Sequence, residues 1–371
     1  MKILIAPDSF KESMSAKEVC DIIEKAILDI NCKAEIIKVP MADGGEGTVD
    51  SLCDSLNGKM IYLNVKNPLG EIIKAKYAIA KDTAIIEMAS ASGLELIPKD
   101  KRNPYYTTTY GTGELILDAI KNGAKNIIIG IGGSATNDAG VGMLMALGAK
   151  ILDKNGNPIK QGGKYLSDIV SIDISNVPKV NITVACDVDN ILTGPKGSSH
   201  VFGKQKGASP EMIEVLDKNL KHFAHIVRTN LNKEIEFTNG SGAAGGLGAA
   251  LLLIGAKLQK GIDIVVDINK LEEKMKTVDL VITGEGKMDS QTRFGKTPYG
   301  VAKLAKKLNK PVISFSGGLA ADSEILTEYG FDAMFSILNN VTDLETALKN
   351  GKENLYNTTK NVFRLLNLKI K

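Results

Sequence analysis

Short apolar runs of strand length recur along this chain, and each of several delivers straight into a loop of glycine and acid that leads to a helical pattern. Strand and helix signals in alternation argue for an α/β protein with a largely parallel sheet. In such folds the loops at the carboxyl ends of the strands are where ligands bind. The richest example is Asp279-Leu-Val-Ile-Thr-Gly-Glu-Gly-Lys-Met-Asp-Ser-Gln-Thr-Arg-Phe-Gly-Lys-Thr297. An apolar strand, read here as ending at Thr283, enters a loop that carries backbone amides, two carboxylates and a cation. A helical run, Val301 to Leu308, follows. These are the parts needed to hold a phosphorylated ligand.

The other elements can be read from local chemistry. Ile3–Ala6 and Glu35–Val39 read as strands, with a capping box at Ser15 and Glu18 between them. The apolar stripe Val19, Ile22, Ile23, Ala26 and Ile27 makes the intervening segment a helix. Residues 59–88 hold short apolar runs split by Asn67-Pro-Leu-Gly70 and Lys81-Asp82, the pattern of an antiparallel hairpin or meander. Asn126–Gly130, Asn181–Ala185, Val312–Ser316 and Ala333–Ile337 read as further strands. Ser209-Pro210 opens a long helix, and Thr342 to Glu345 reads as the cap of the last helical region. A chain of 371 residues suits two domains. The expected arrangement is a discontinuous Rossmann-like parallel-sheet domain, 1–58 and 275–371, with an α/β domain containing the meander, 59–274, inserted in it.

Composition excludes several classes. The net charge is +3, with lysine and acid interspersed, which gives no basic face for a nucleic acid. The four cysteines form no CxxC pair, so free thiols in a reducing cytoplasm are expected. The first apolar run is too short for a signal-peptide core. The longest weakly polar run, Ala243 to Ala256, is short of the roughly 20 residues of a membrane span. A homo-oligomer is compatible with this composition.

Five loops carry candidate chemistry. Asp8 and Lys11 follow the first strand at a sheet-end position, although alone they read first as a cap and a solvated lysine. Asp43 and Glu46 flank three glycines after the second strand. They read either as a Mg²⁺ pair or as helix-capping acids on a flexible turn. Gly130-Ile-Gly-Gly-Ser-Ala-Thr-Asn-Asp138 offers the amides of Gly132 and Gly133, with Ser134 and a helix start near Asn137, as a phosphate cradle. The same stretch satisfies G-x-G-x-x-A, with Asp153 downstream, which supports a rival NAD-dependent dehydrogenase. Asp187, Asp189 and Asn190 follow the strand Asn181–Ala185 and offer a general base, or simply an Asx turn. In the segment described first, Gly295-Lys296-Thr297 resembles the end of a Walker A motif, but Ser290 stands where the earlier glycine is required. Gly240–Gly248 is a further small-residue loop, with Gly245 and Gly246 near a phosphate or in close packing. His222 and His225 read as surface residues, and no Ser/His/Asp or Cys/His arrangement supports nucleophilic hydrolysis. Phosphoryl transfer fits this set, because it needs positioning, metal and cations more than covalent chemistry.

The blocks Ala6–Lys11, Met41–Thr48, Gly130–Asp138, Ala185–Asn190, Phe202–Ala208, Gly242–Gly248 and Asp279–Asp289 resemble, in order, those of the type I glycerate kinases. The resemblance covers nearly the whole chain. It implies an ATP- and Mg²⁺-dependent kinase that acts on D-glycerate, typically giving 2-phosphoglycerate, with the active site in the cleft of a two-domain α/β fold. On that expectation Asp187 or Asp289 is the general base, and Asp43, Glu46 and Glu285 hold Mg²⁺. Gly132, Gly133, Ser134, Asn137, Gly245, Gly246 and Lys296 meet the nucleotide, and Asp8, Lys11 and Arg293 meet glycerate. A regulator that binds sugar acid or nucleotide without catalysis is the remaining alternative. The chain departs from the family pattern at Glu12 and Ala139, where glycine is usual, and at Ile191, where proline is usual.

Overall fold

The computed structural model describes residues 1–42, 47–56 and 58–368, so Asp43 and Glu46 lie outside the described residues. The strands in chain order begin with β1 (Lys2–Ile5), β2 (Glu35–Lys38), β3 (Lys59–Lys66), β4 (Ile72–Ala80), β5 (Thr83–Glu87) and β6 (Asn126–Gly130). They continue with β7 (Lys150–Leu152), β8 (Ser171–Asp173), β9 (Asn181–Ala185), β10 (Lys257–Gln259), β11 (Leu280–Met288), β12 (Val312–Leu319) and β13 (Ala333–Ser336). The chain divides into two compact units. The first comprises Met1–Asp43, Asp50–Leu56 and Ile262–Lys371, and the second Gly44–Val49 and Asn57–Gly261.

The first unit is built on a five-stranded sheet in the order β13-β12-β11-β1-β2. Every pairing in it is parallel. Parallel strands are covered on both faces, which is why Ile3, Leu4 and Ile5 run without a polar break and are all fully buried. The helix Ala16–Leu28 covers one face, started by the Ser15–Glu18 capping box and burying Val19, Cys20, Ile23, Ala26 and Ile27. From β1 the chain moves outward to β2, whereas β11 and its successors step away on the other side. The carboxyl ends of β1 and β11 are therefore the topological switch point, where this architecture leaves a crevice.

The second unit carries a six-stranded mixed sheet, β10-β9-β6-β5-β4-β3, and a small antiparallel pair, β7-β8. The meander expected from residues 59–88 is present as β3, β4 and β5 in antiparallel succession. Beyond β5 the sheet becomes parallel. The helix Pro210–Leu231, capped by Ser209, buries Leu216, Leu220, Phe223, Ala224 and Val227.

Several boundaries differ from the sequence reading, three of them in ways that matter for the site or its loops. β11 does not stop at Thr283 but continues to Met288, paired with β12 as far as Leu319. Gly284 allows this, since a Cβ there would lie 1.9 Å from the Phe315 carbonyl oxygen. The helix after β6 begins at Val141 rather than near Asn137. Asp343, not Thr342, caps Leu344–Lys349 by accepting from the Thr346 amide. Among the described residues no helix is long and apolar enough to cross a membrane.

Candidate active site

In the first unit, the extension of β11 puts Glu285 within the sheet, at its carboxyl end. Glu285 Oε1 accepts from Thr292 Oγ1 at 2.7 Å, and Oε2 lies 3.2 Å from the Lys296 ammonium. Burial, with a smaller contribution from the negative charge of Asp8, pushes the Glu285 carboxyl above its ordinary value; Thr292 and Lys296 oppose the shift. Asp8, on the adjoining strand end, accepts from the Thr297 hydroxyl at 2.6 Å and from the Ser9 amide at 2.7 Å. Asp8, Lys11, Glu285 and Lys296 line one cavity of about 540 Å³, whose lining also includes Gly286, Gly317 and Gly318. Part of its wall is aliphatic: Ile337, Leu338, Leu344, Ala347 and Leu348. The sequence reading missed that wall. The available signal was a leucine, Leu344, placed directly after a helix cap and left largely exposed.

Asp289 and Arg293 lie apart from the lining of this cavity. Asp289 caps a short 3₁₀ turn, accepting from the Gln291 amide at 3.0 Å. The Arg293 guanidinium stacks on Phe294 and Tyr329, 4.9 and 5.8 Å from the ring centroids.

In the second unit, the loop after β6 is held from within. Gly132 and Gly133 are exposed, whereas Ser134, Thr136, Asn137 and Asp138 are buried. Asp138 accepts four hydrogen bonds, from the Thr109 amide and hydroxyl and from the amides of Gly140 and Gly142. Burial pushes its carboxyl up against the effect of those donors. The Thr109 hydroxyl in turn accepts from the Met143 amide, which fixes the start of the following helix. The buried Lys206 ammonium donates to Ser134 Oγ and to the Thr136 carbonyl, both at 2.7 Å. Asn137 accepts from Ser199 Oγ at 3.2 Å. Gly245 and Gly246 are buried against this loop; a Cβ on Gly245 would stand 1.8 Å from the Thr136 carbonyl oxygen. Asp187, after β9, is exposed and accepts from the Gly261 amide at 3.1 Å.

The dinucleotide fingerprint fails in this setting. Its glycines should open a helix directly, but ten residues separate β6 from Val141. Asp153 follows β7, whose partner is β8 and not a strand of the main sheet. Among the described residues no cluster of three or more acid, histidine or cysteine side chains could hold a metal by itself.

An acid–lysine pair at the switch point of a parallel sheet, open to a cavity, defines an α/β protein that handles an anionic ligand. The model of the glycerate kinase family matches residues 3–367, and the chain belongs to that family. It is 50% identical to a glycerate kinase of Haemophilus influenzae over the full length of both chains. It is 51% identical to a glycerate kinase of Bacillus subtilis, covering 98% of this chain and 97% of that one. It is 50% identical, with the same coverage, to the glycerate 2-kinase of Escherichia coli K12. A crystal structure from Salmonella typhimurium LT2, assigned to glycerate kinase 2, superposes with a TM-score of 0.91 at 50% identity, covering 99% of this chain and 98% of that one.

Proposed function

We propose that this protein transfers the γ-phosphoryl group of ATP to the 2-hydroxyl of D-glycerate. The family assignment over 3–367 carries the activity, and the glycerate 2-kinase relative supports the position of transfer. The observation in the molecule that carries the chemistry is the Glu285–Lys296 pair beside Asp8, opening into the cavity of the first unit. The dehydrogenase reading loses its one support with the failed fingerprint.

Phosphoryl transfer is catalysed by positioning and by charge neutralisation. Lys296 is placed to meet phosphate oxygens, and Lys11, which lines the same cavity, is assigned here to phosphate rather than to the glycerate carboxylate. Glu285 with Asp8 fits a Mg²⁺ ion carried in with the nucleotide. Mg²⁺ takes one or two protein carboxylates and keeps waters and phosphate oxygens as its other ligands. Both carboxylates sit at adjoining strand ends and line the same cavity, where a dication could reach them together. When bound, the ion would neutralise the β- and γ-phosphate oxygens. Asp187 is assigned to accept the hydroxyl proton, because it is exposed in the loop after β9. Gly132 and Gly133, exposed on the loop after β6, offer amides to an anion.

The test is an assay of purified protein with D-glycerate, ATP and Mg²⁺, in which ADP and the phosphoglycerate isomer are measured. Glycerate-dependent ADP with 2-phosphoglycerate is expected. No ADP above background, or reduction of NAD in its place, would overturn the reading. Asp187→Asn should lower kcat by about a thousandfold or more while ATP still binds; near-normal turnover would remove Asp187 from the role of base.

A further inference from the structure

The aliphatic side of the first unit's cavity has no role in handling phosphate, metal or a small hydroxy acid. Leu338, Leu344, Ala347 and Leu348 form it, on the segment after β13 and the short helix Leu344–Lys349. This wall is anchored. The Ser13 hydroxyl donates to the Leu348 carbonyl at 2.8 Å, tying the helix to the loop after β1. Gly351 packs so closely on Ser13 that a Cβ there would lie 2.3 Å from its hydroxyl oxygen. Leu338 and Leu344 are nonetheless 45% and 72% exposed. Anchored apolar side chains that remain solvent-facing at the edge of a charged cavity suit a ligand with one apolar face and one anionic end.

We propose that this wall is the nucleoside pocket, on which the adenine ring of ATP rests with its triphosphate directed to Lys11 and Lys296. The proposal builds on the kinase reading and names where that reaction's donor is held. Glycerate is excluded as the occupant by its chemistry. A three-carbon acid with two hydroxyls has no apolar face to repay the wall, and it would fill little of about 540 Å³. An adenine nucleotide has a flat apolar ring at one end and polyphosphate at the other, the same polarity as the cavity.

The test uses Leu338→Asn and Leu344→Asn in the full chain, uncharged substitutions at two solvent-facing positions where folding should survive. Three quantities are measured: ADP binding by calorimetry, KM for ATP and for D-glycerate, and inhibition by inorganic tripolyphosphate, which has the anionic end but no base. ADP binding should weaken, and KM for ATP rise, by about tenfold or more. KM for glycerate and the inhibition constant of tripolyphosphate should each stay within about twofold. Unchanged ADP binding, with or without a changed oligomeric mass, would overturn the proposal. So would a rise in KM for glycerate in place of ATP, or a loss of tripolyphosphate inhibition equal to the loss of ADP binding. The two readings fail separately. A wild-type protein that binds ADP but does not phosphorylate glycerate removes the kinase reading and keeps the pocket. A wild-type kinase whose variants bind ADP normally removes the pocket and keeps the kinase.

Discussion

In sequence, the loop after β11 in the first unit and the loop after β6 in the second unit are near equivalents: each has glycines, an acid and a hydroxyl residue after a strand. They are built for opposite purposes. At the β11 loop, Glu285 and Lys296 are only partly satisfied by each other and face a cavity. At the β6 loop, Asp138 accepts four donors and Lys206 is sealed beneath the backbone, so these two charged groups serve the loop's own shape. A strand-end acid is therefore no guide to a site until its hydrogen bonds are counted. An acid with its acceptor capacity filled from within is a scaffold, whereas one that faces a cavity beside a solvated lysine can meet a ligand.

The sharpest way to break this contrast is to perturb each loop and compare what is lost. Lys296→Met should lower kcat/KM by about a hundredfold or more, the scale of a lost transition-state charge contact. Its melting temperature should move by only about 2 °C, because the pair with Glu285 is partly solvated. A large drop in melting temperature with normal kinetics would put Lys296 in the scaffold. The β6 loop should behave in the reverse manner. Gly245→Ala forces a Cβ onto the Thr136 carbonyl at a residue whose φ is +73°. It should cost about 3 kcal/mol in denaturant unfolding. A stable variant that has lost only nucleotide affinity would show that Gly245 is a ligand contact after all.

Lys206 offers a gentler probe. Burial holds its ammonium down to about 7, against 10.5 for an ordinary lysine. Between those values the folded chain binds fewer protons than the unfolded chain, so the protein should gain stability as pH rises through that window. Lys206→Met should flatten this gain, as measured by urea unfolding at several pH values. An equal slope in both proteins would mean that the lysine stays charged in the fold.

The elements that were legible in the sequence are those set by neighbours a few residues away. The Ser15 and Ser209 caps, the unbroken apolar runs of β1 and β6 and the three-strand meander are of this kind. What was not legible depends on residues far apart in the chain. Gly284-Glu285-Gly286 reads as loop because two glycines flank an acid. In the fold Gly284 is there so that β11 can pass the Phe315 carbonyl, and Glu285 is delivered by a strand. Lys206 sat in a recognisable block, but nothing local says that it reaches Ser134, 72 residues away. The Leu338–Leu348 wall forms only when the segments after β13 and β1 meet.

The smallest predicted effect concerns two places where the sequence reading expected a glycine and the chain has another residue. Glu12 and Ala139 have φ of +64° and +53°, the left-handed region in which a Cβ crowds the backbone. A residue other than glycine costs about 1–2 kcal/mol there. Glycine recovers this strain but makes the unfolded chain more flexible, at a cost of about 0.4–1 kcal/mol. Glu12→Gly and Ala139→Gly should therefore each stabilise by about 0.5–1 kcal/mol, read as a raised urea midpoint with an unchanged slope. The pair also returns to the comparison between the loops. Ala139 is buried beside Gly246, so its change should alter stability alone. Glu12 is exposed and lines the cavity of the first unit, so removing its negative charge should in addition lower KM for ATP slightly. Equal kinetic effects from both substitutions would mean that the two loops are not as different as their hydrogen bonds make them.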